Sequence, residues 1–199
     1  MAPGMTKPST PTSAEKALLR REALGRRMDE PGPVEASHKA KDHGLRLLAG
    51  QPRGIVSGYL AVRDELNPQP LMQALAAAGH QLSLPVIETK WSPLTFRAFA
   101  PGDRLVDAGF GLKEPMRSAA AVLPNILLVP VAAFDAEGFR IGYGGGYYDR
   151  TLALFRSERP VLAVGIAYDC QEVPAFTHEA HDQRLDYLVT PAGVRKFGP

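Results

Sequence analysis

The sequence predicts an α/β fold in which helices cover both faces of a mostly parallel sheet. Residues 126–129 form a continuous apolar segment closed by Pro130, which is typical of a strand buried on both faces of such a sheet. Between residues 55 and 87, a strand, a helix and a second strand follow at the spacing of a right-handed parallel crossover. The 199 residues, 45% of them hydrophobic, suffice for one domain with a sizeable core. We therefore expect a three-layer α/β/α domain.

The other elements follow from hydrophobic periodicity and from helix start and stop signals. Thr12 and Glu15 have the spacing of a capping box, which predicts a helix that runs to about Met28. The Pro-Gly-Pro sequence at residues 31–33 then breaks the chain. In chain order, the later predictions are a helix over residues 34–49, a strand over 55–62, a helix over 70–78, a strand over 81–87, an edge strand over 94–98, a helix over 147–154, and strands over 161–167 and 187–190.

Composition narrows the classes of function. The formal charge of +2 is too small and too diluted to indicate nucleic-acid binding. No segment reaches the roughly 20 apolar residues of a membrane span. Residues 1–12, rich in Pro, Ser and Thr, predict a disordered lead-in rather than a signal peptide. We therefore expect a cytoplasmic protein whose single domain spans residues 13–199. We also expect a monomer whose partners are small molecules. Cys170 is the only cysteine, which excludes an internal disulfide and a cysteine zinc cluster.

A glycine-rich loop follows the buried strand and precedes a predicted helix. The four glycines within residues 142–146 can adopt positive φ and carry no Cβ, so backbone N–H groups can surround a phosphate. The N-terminus of the next helix would add its dipole and free amides. A structural turn without a ligand is the alternative, but Arg140, Arg150 and Asp149 favour an anion site that also holds a divalent cation. The loop matches neither the Walker A nor the GxGxxG pattern.

Four motifs resemble those of one enzyme family. Residues 134–152, FDAEGFRIGYGGGYYDRTL, are similar to the signature of the 5-formyltetrahydrofolate cyclo-ligases, also called 5,10-methenyltetrahydrofolate synthetases. Residues 16–20 resemble the family's N-terminal Lys-x-x-x-Arg helix, and residues 63–65 resemble the acidic turn after its first strand. Residues 181–186 resemble its C-terminal motif. The similarity covers most of the chain, and it implies the fold variant shared with ribose-phosphate isomerase and CoA-transferase-like proteins.

The resemblance implies an activity and a set of site residues. The implied reaction is ATP-dependent closure of 5-formyltetrahydrofolate to 5,10-methenyltetrahydrofolate, with release of ADP and phosphate through a phosphorylated formyl intermediate. Mg²⁺ is the implied cofactor and ATP the co-substrate. The implied ATP-binding residues are Lys16, Arg20, Arg140, Ile141, Gly142, Tyr143, Gly144, Gly145, Gly146, Tyr147 and Tyr148. The implied folate-binding residues are Leu60, Glu65, Tyr143 and Tyr147, the implied metal ligands are Asp149 and Asp182, and the implied catalytic residues are Arg140, Tyr147 and Asp149.

The sequence departs from the family at two places. Some members carry Arg and Lys inside the glycine loop, at the positions of Tyr143 and Gly145, so phosphate binding here depends on cations outside the loop. Lys16 and Arg20 are suited to that role, although on sequence alone two cations four positions apart would be solvated on a helix face. Residues 175–178 lengthen the segment before the C-terminal motif, which leaves the metal geometry open.

Other interpretations of the same residues stay open at this point. A sugar-phosphate isomerase or acyl-CoA transferase of related fold would use a carboxylate such as Glu65 and no ATP. A non-catalytic nucleotide- or folate-binding module would show no turnover. His178, His181 and Asp182 could form a zinc cluster, although the histidine spacing is not that of HExxH. Phe96 could stack on the pterin or pack in the core.

Overall fold

The computed structural model describes residues 11–109 and 112–198. The predicted disorder of residues 1–10 lies outside the described part of the chain. The helices are α1 (Pro11–Met28), α2 (Pro33–Leu48), α3 (Gln69–Ala77) and α4 (Tyr147–Glu158), with a 3-10 helix at Asp169–Gln171. The strands are β1 (Ile55–Ser57), β2 (Gln81–Val86), β3 (Thr95–Phe99), β4 (Leu105–Gly109), β5 (Leu112–Pro115), β6 (Ile126–Pro130), β7 (Ala133–Phe134), β8 (Arg140–Ile141), β9 (Leu162–Ile166), β10 (Tyr187–Val189) and β11 (Val194–Lys196).

Seven strands form one sheet in the order β11-β10-β9-β6-β1-β2-β3. The five central strands are parallel, and the edge strands β3 and β11 are antiparallel to their neighbours. The prediction of an α/β fold with a mostly parallel sheet is therefore confirmed, as is the edge position of β3. Within the described residues, no helix combines the length and apolar character of a membrane span.

Strand β6 lies in the middle of the sheet and is covered on both faces. Ile126 and Leu128 pack in a cluster with apolar side chains of α2 and α3. Leu127 and Val129 point to the opposite face and pack with side chains of α4. Because alternate residues of a strand face opposite sides, this division explains why β6 is a continuous apolar segment. It also confirms the three-layer arrangement.

Two predicted boundaries are wrong. The structure describes α1 from Pro11 onward, so Thr12 is helical rather than an N-cap or part of the lead-in. The first strand ends at Ser57, not at residue 62. At the next position, Gly58, the chain runs close to α3, because a Cβ there would lie 2.2 Å from the sulfur of Met72. The segment beyond it then leaves the sheet and forms part of a cavity wall.

Candidate active site

Helix α1 brings two cations to the C-terminal half of the chain. Arg20 Nε donates to the carbonyl oxygen of Gly142 at 2.6 Å, across 122 positions of sequence. One turn earlier, Lys16 Nζ donates to Asp182 Oδ2 at 2.5 Å and to Glu179 Oε2 at 3.1 Å. Burial lowers the pKa of Lys16, but the two carboxylates outweigh burial and raise it overall. The interpretation of these residues as solvated cations is therefore wrong.

The glycine loop, residues 142–146, turns the chain from β8 into α4. Gly144 has a φ of 94° and Gly146 a φ of 60°, in the left-handed region that other residues rarely adopt. Gly146 is the N-cap of α4 and offers no capping side chain, so the first amides of the helix lack that partner. Gly145 lies outside the left-handed region, but a Cβ there would lie 2.6 Å from the ring of Tyr147. The two left-handed glycines and the start of α4, which has no side-chain cap, are compatible with the predicted anion site.

Arg150 supports this loop from α4. Its guanidinium donates to the carbonyl oxygen of Gly145 and lies 5.5 Å from the centre of the Tyr147 ring. A cation over an aromatic face is held by the ring quadrupole. Arg150 therefore fixes Tyr147 at the start of α4.

Gly144→Ala should impair ATP binding more than it impairs folding. The left-handed φ adds roughly 1 kcal/mol or more of backbone strain, a loss of about 2–4 °C in melting temperature for a domain of this size. Among the described residues, no heavy atom other than those of its two chain neighbours lies within 4 Å of the added Cβ, so the methyl group meets no clash without ligand. It would obstruct a phosphate that approaches the predicted anion site. We expect the variant to lose most of the melting-temperature increase that Mg-ATP gives the parent.

Gly102→Ala is the matched control for this measurement. Gly102 has a φ of 100° and equally open surroundings, but it lies in a turn outside the loop. It should show the same backbone strain and keep the ATP-induced stabilisation. A Gly144→Ala protein with a large drop in unliganded melting temperature and an intact ATP shift would make the loop a structural turn.

Arg140 of β8 and Asp149 of α4, which lie before and after the loop in sequence, form an ion pair. Arg140 Nη2 donates to Asp149 Oδ1 at 2.9 Å, and its Nη1 donates to the carbonyl oxygen of Gln183. The amide of Gln183 donates to the same Asp149 oxygen at 3.0 Å. Burial lowers the pKa of Arg140, and the charge of Asp149 opposes this. These bonds connect Asp149 to Gln183, the residue after Asp182, although among the described residues the acidic group around Asp182 consists of Glu179 and His181 and does not include Asp149.

The donor set of this region suits a magnesium ion. Asp149 uses Oδ1 for its hydrogen bonds, and Asp182 uses Oδ2 for Lys16 and for the amide of Glu179. Within residues 11–109 and 112–198, Asp149 Oδ2 and Asp182 Oδ1 accept no hydrogen bond, so each carboxylate keeps one oxygen available. Glu179, His181 and Asp182 also place ligand atoms within 4.8 Å of one another. Hard carboxylate oxygens are the ligands that Mg²⁺ prefers.

Two of the four predicted folate-binding residues line a cavity of about 620 Å³, and Tyr143 and Tyr147 are not among its lining residues. Leu60 and Glu65, both predicted to contact the folate, are part of its wall, together with Ala61 of the segment that leaves the sheet after β1. Its volume is in the range of pockets for organic ligands of drug size. The described part of the chain thus places both residues where a folate could reach them.

Tyr143 joins this cavity to the glycine loop. Its hydroxyl donates to Glu65 Oε1 at 2.5 Å, and the other carboxylate oxygen accepts from the amide of Val62 at 2.9 Å. Burial and the charge of Glu65 raise the pKa of Tyr143, so the hydroxyl keeps its proton. The hydroxyl of Tyr148 is buried nearby without a hydrogen-bond partner in the described chain, and burial together with the charge of Glu65 raises its pKa. An unpaired buried hydroxyl is costly, which suits a group that meets a ligand.

Two alternative interpretations are wrong. His178 Nε2 lies 2.7 Å from Asp135 Oδ2, and its ring stacks on Phe139 at 3.7 Å, so it packs apart from the His181 and Asp182 group. Phe96 is 2% exposed and packs on another core phenylalanine, which excludes it as a stacking surface.

Sequence reasoning missed two contributors to this region. Glu179 joins the acidic group beside Lys16, and Arg27 reaches the hydroxyl of Tyr143. Glu179 was missed because the lengthened segment before it obscures the match to the family's C-terminal motif. Arg27 was missed because it lies 116 positions from Tyr143, so no local pattern links the two residues.

The structure is an α/β protein in which Tyr143 connects a candidate anion loop to the wall of a cavity. The sequence model of the 5-formyltetrahydrofolate cyclo-ligase family matches residues 12–191. The 5-formyltetrahydrofolate cyclo-ligase of Escherichia coli is 37% identical over 170 residues, which cover 81% of this chain and 93% of that protein. The Haemophilus influenzae protein of the same name is 33% identical over 162 residues, with coverages of 78% and 86%.

A solved structure agrees with the sequence relatives. The NMR structure of Aquifex aeolicus 5,10-methenyltetrahydrofolate synthetase superposes with a TM-score of 0.72 at 28% identity, covering 92% of this chain and 93% of that one. This chain belongs to the 5-formyltetrahydrofolate cyclo-ligase family, and the resemblance drawn from its motifs is confirmed. The name of the fold variant, shared with ribose-phosphate isomerase, stays a prediction.

Proposed function

We propose that this chain catalyses the ATP- and Mg²⁺-dependent cyclisation of 5-formyltetrahydrofolate to 5,10-methenyltetrahydrofolate, with release of ADP and phosphate. One observation carries the proposal: the Tyr143 hydroxyl joins the glycine loop to the Glu65 carboxylate on the cavity wall. A triphosphate at the loop and a folate in the cavity would be neighbours, as direct phosphoryl transfer between them requires. The family membership and the names of the relatives support the same reaction.

The triphosphate would be bound by backbone amides and fixed cations. The amides of residues 142–146 and of the first turn of α4 would donate to phosphate oxygens, and Ile141 and Tyr148 flank them. Lys16 and Arg20 would supply charge from α1. Each is already held by protein oxygens, so little side-chain ordering would be left for ATP to impose.

Asp149 and Asp182 would hold Mg²⁺, directly or through its waters, with the oxygens that accept no protein hydrogen bond. When bound, Mg²⁺ would offset the negative charge that develops on the transferred phosphoryl group. Arg140, whose side chain is 3% exposed, would position Asp149 through the ion pair between them. Its charge would also compensate that of the phosphates.

The folate would lie in the cavity with its pterin against Glu65. A carboxylate can accept several N–H bonds, so Glu65 could bind the pterin amino and ring N–H groups while keeping its protein partners. Leu60 would give apolar contact. Tyr143, between Gly142 and Gly144, and Tyr147, directly after the loop, would align the formyl group with the γ-phosphate.

No protein nucleophile is needed for the reaction. The formyl oxygen attacks the γ-phosphorus as the bond to the ADP oxygen breaks, which gives a phosphorylated iminium-like intermediate. N10 then adds to the activated carbon and loses its proton, and phosphate departs with the former formyl oxygen. The protein's contribution is alignment of two substrates and charge compensation, for which Arg140, Tyr147 and Asp149 are the proposed catalytic residues.

The rival enzyme classes would need Glu65 as a free base or nucleophile. Both of its oxygens already accept hydrogen bonds, from Tyr143 and from the amide of Val62, which favours recognition over proton transfer. Only a measurement of turnover distinguishes a non-catalytic binding module from an enzyme.

Turnover is tested by mixing the purified protein with 5-formyltetrahydrofolate and Mg-ATP and following methenyl absorbance and ADP. We expect one ADP for each methenyl product and no product without ATP or with excess chelator. Product without ATP would favour an isomerase-type mechanism, and binding of both ligands without product would leave a binding module.

We also propose a cytoplasmic location, which the composition predicts, and a monomeric state. Cell fractionation and size-exclusion chromatography with light scattering test the two proposals.

A further inference from the structure

A ring of hydrogen bonds connects α1 to the cavity wall. The guanidinium of Arg27, a residue 4% exposed, donates through Nε and Nη2 to Asp64 at 2.8 and 3.0 Å. Its third nitrogen, Nη1, donates to the Tyr143 hydroxyl at 3.0 Å. Tyr143 donates in turn to Glu65, which follows Asp64 in the chain and closes the ring.

The direction of these bonds follows from the groups involved. A guanidinium can only donate, so the Tyr143 oxygen must accept from Arg27. The single hydroxyl proton is then left for Glu65. Arg27 therefore sets both the position of the Tyr143 side chain and the direction in which its hydroxyl donates.

Asp64 anchors Arg27 in this arrangement. Bidentate pairing of a guanidinium with a carboxylate fixes the plane of the guanidinium, which a lysine ammonium could not reproduce. Burial lowers the pKa of Arg27, but the bonds to Asp64 and Tyr143 outweigh burial and raise it overall, so the group stays charged. A fixed cation thus lies behind a tyrosine that belongs to the glycine loop, at residues 142–146.

We propose that Arg27 is a positioning residue that couples the two substrates, because it holds the Tyr143 hydroxyl against Glu65. Ordering of the glycine loop by a triphosphate then also presents Glu65 to the folate. This inference rests on the proposed function of the site. Coupling is reciprocal, so each substrate should raise the affinity for the other by the same factor.

The coupling factor is measured as the ratio of the 5-formyltetrahydrofolate Kd without and with a saturating non-hydrolysable ATP analogue plus Mg²⁺. We expect a factor of roughly 5 or more for the parent protein. Arg27→Gln should bring it close to 1 and raise the folate KM more than it changes kcat. Arg27→Lys should also lose most of the coupling, because lysine keeps the charge but cannot make the bidentate hydrogen bonds of the guanidinium.

Arg26→Gln is the matched control. Arg26 lies next to Arg27 on α1 and docks the helix by donating to the carbonyl oxygens of Cys170 and Glu172, without reaching Tyr143. Its loss should change stability and leave the coupling factor intact.

Tyr143→Phe tests the same link without disturbing the buried charge, so it remains informative if Arg27→Gln does not fold. It should also lose the coupling, and where both fold, the double variant should be no worse than either single variant. Unchanged coupling in Tyr143→Phe, equal coupling in the Arg26 and Arg27 variants, or no coupling in the parent would overturn the inference. Absence of methenyl formation in the parent would instead reject the proposed function, since coupling of binding is measured without turnover.

Discussion

Asp149→Asn should lose most of the turnover while the protein stays folded. The amide oxygen can still accept from Arg140 and from the amide of Gln183, so the local hydrogen bonds survive. What disappears is the charge that would hold Mg²⁺ and keep Arg140 neutralised. Changes around a metal ligand typically cost about 10- to 100-fold in activity or metal affinity, and we expect an effect at the upper end of this range.

A magnesium titration separates this cause from general damage. The loss in Asp149→Asn should be largest at limiting Mg²⁺ and should shrink as Mg²⁺ rises. Asp103→Asn is the control for charge, because Asp103 lies in an exposed turn and accepts from the amide of Ala100. An Asp149→Asn protein with the parent's rate at limiting Mg²⁺ would remove Asp149 from the metal site.

Arg20→Ala should raise the KM for ATP and leave the folate KM nearly unchanged. The Arg20 guanidinium holds the carbonyl oxygen of Gly142, so its loss would free the start of the loop as well as remove a charge. A hydrogen bond that involves a charged group is worth about 1.5–3 kcal/mol, which corresponds to roughly 10- to 100-fold in affinity. Burial lowers the pKa of Arg20, but an arginine stays charged at neutral pH.

Arg21→Ala provides the comparison for this variant. Arg21 is the next residue on α1, is exposed and has the same charge. It should keep the parent's ATP kinetics. If Arg20→Ala also kept them, Arg20 would be a structural support of the loop and not part of the ATP site.

Much of this architecture could be predicted because its signals are local. The apolar segment of β6 and the glycines of residues 142–146 each reflect a constraint within a few residues: burial on two faces, or left-handed backbone. Apart from the end of β1, the predicted helices and central strands therefore lie close to their observed positions. The hydrogen bond between Asp149 and the amide of Gln183 joins residues 34 positions apart, so no local signal predicts it.

The remaining features depend on packing between distant segments. The antiparallel strands β4 and β5 and the short strands β7, β8 and β11 have no strong periodicity of their own. Beyond the end of β1, Gly58 lies close to Met72 of α3, a contact that the local sequence does not indicate. Arg27 resembles any other helix arginine until Asp64 and Tyr143 are brought beside it.

The central claim is that the formyl oxygen is phosphorylated by ATP before ring closure, and oxygen isotope transfer tests it most directly. 5-Formyltetrahydrofolate labelled with ¹⁸O in the formyl group is converted by the protein with unlabelled Mg-ATP, and the released phosphate is analysed by mass spectrometry. The account predicts one ¹⁸O in each phosphate, after correction for exchange measured without enzyme. Methenyl product accompanied by unlabelled phosphate, with the label in water, would contradict it.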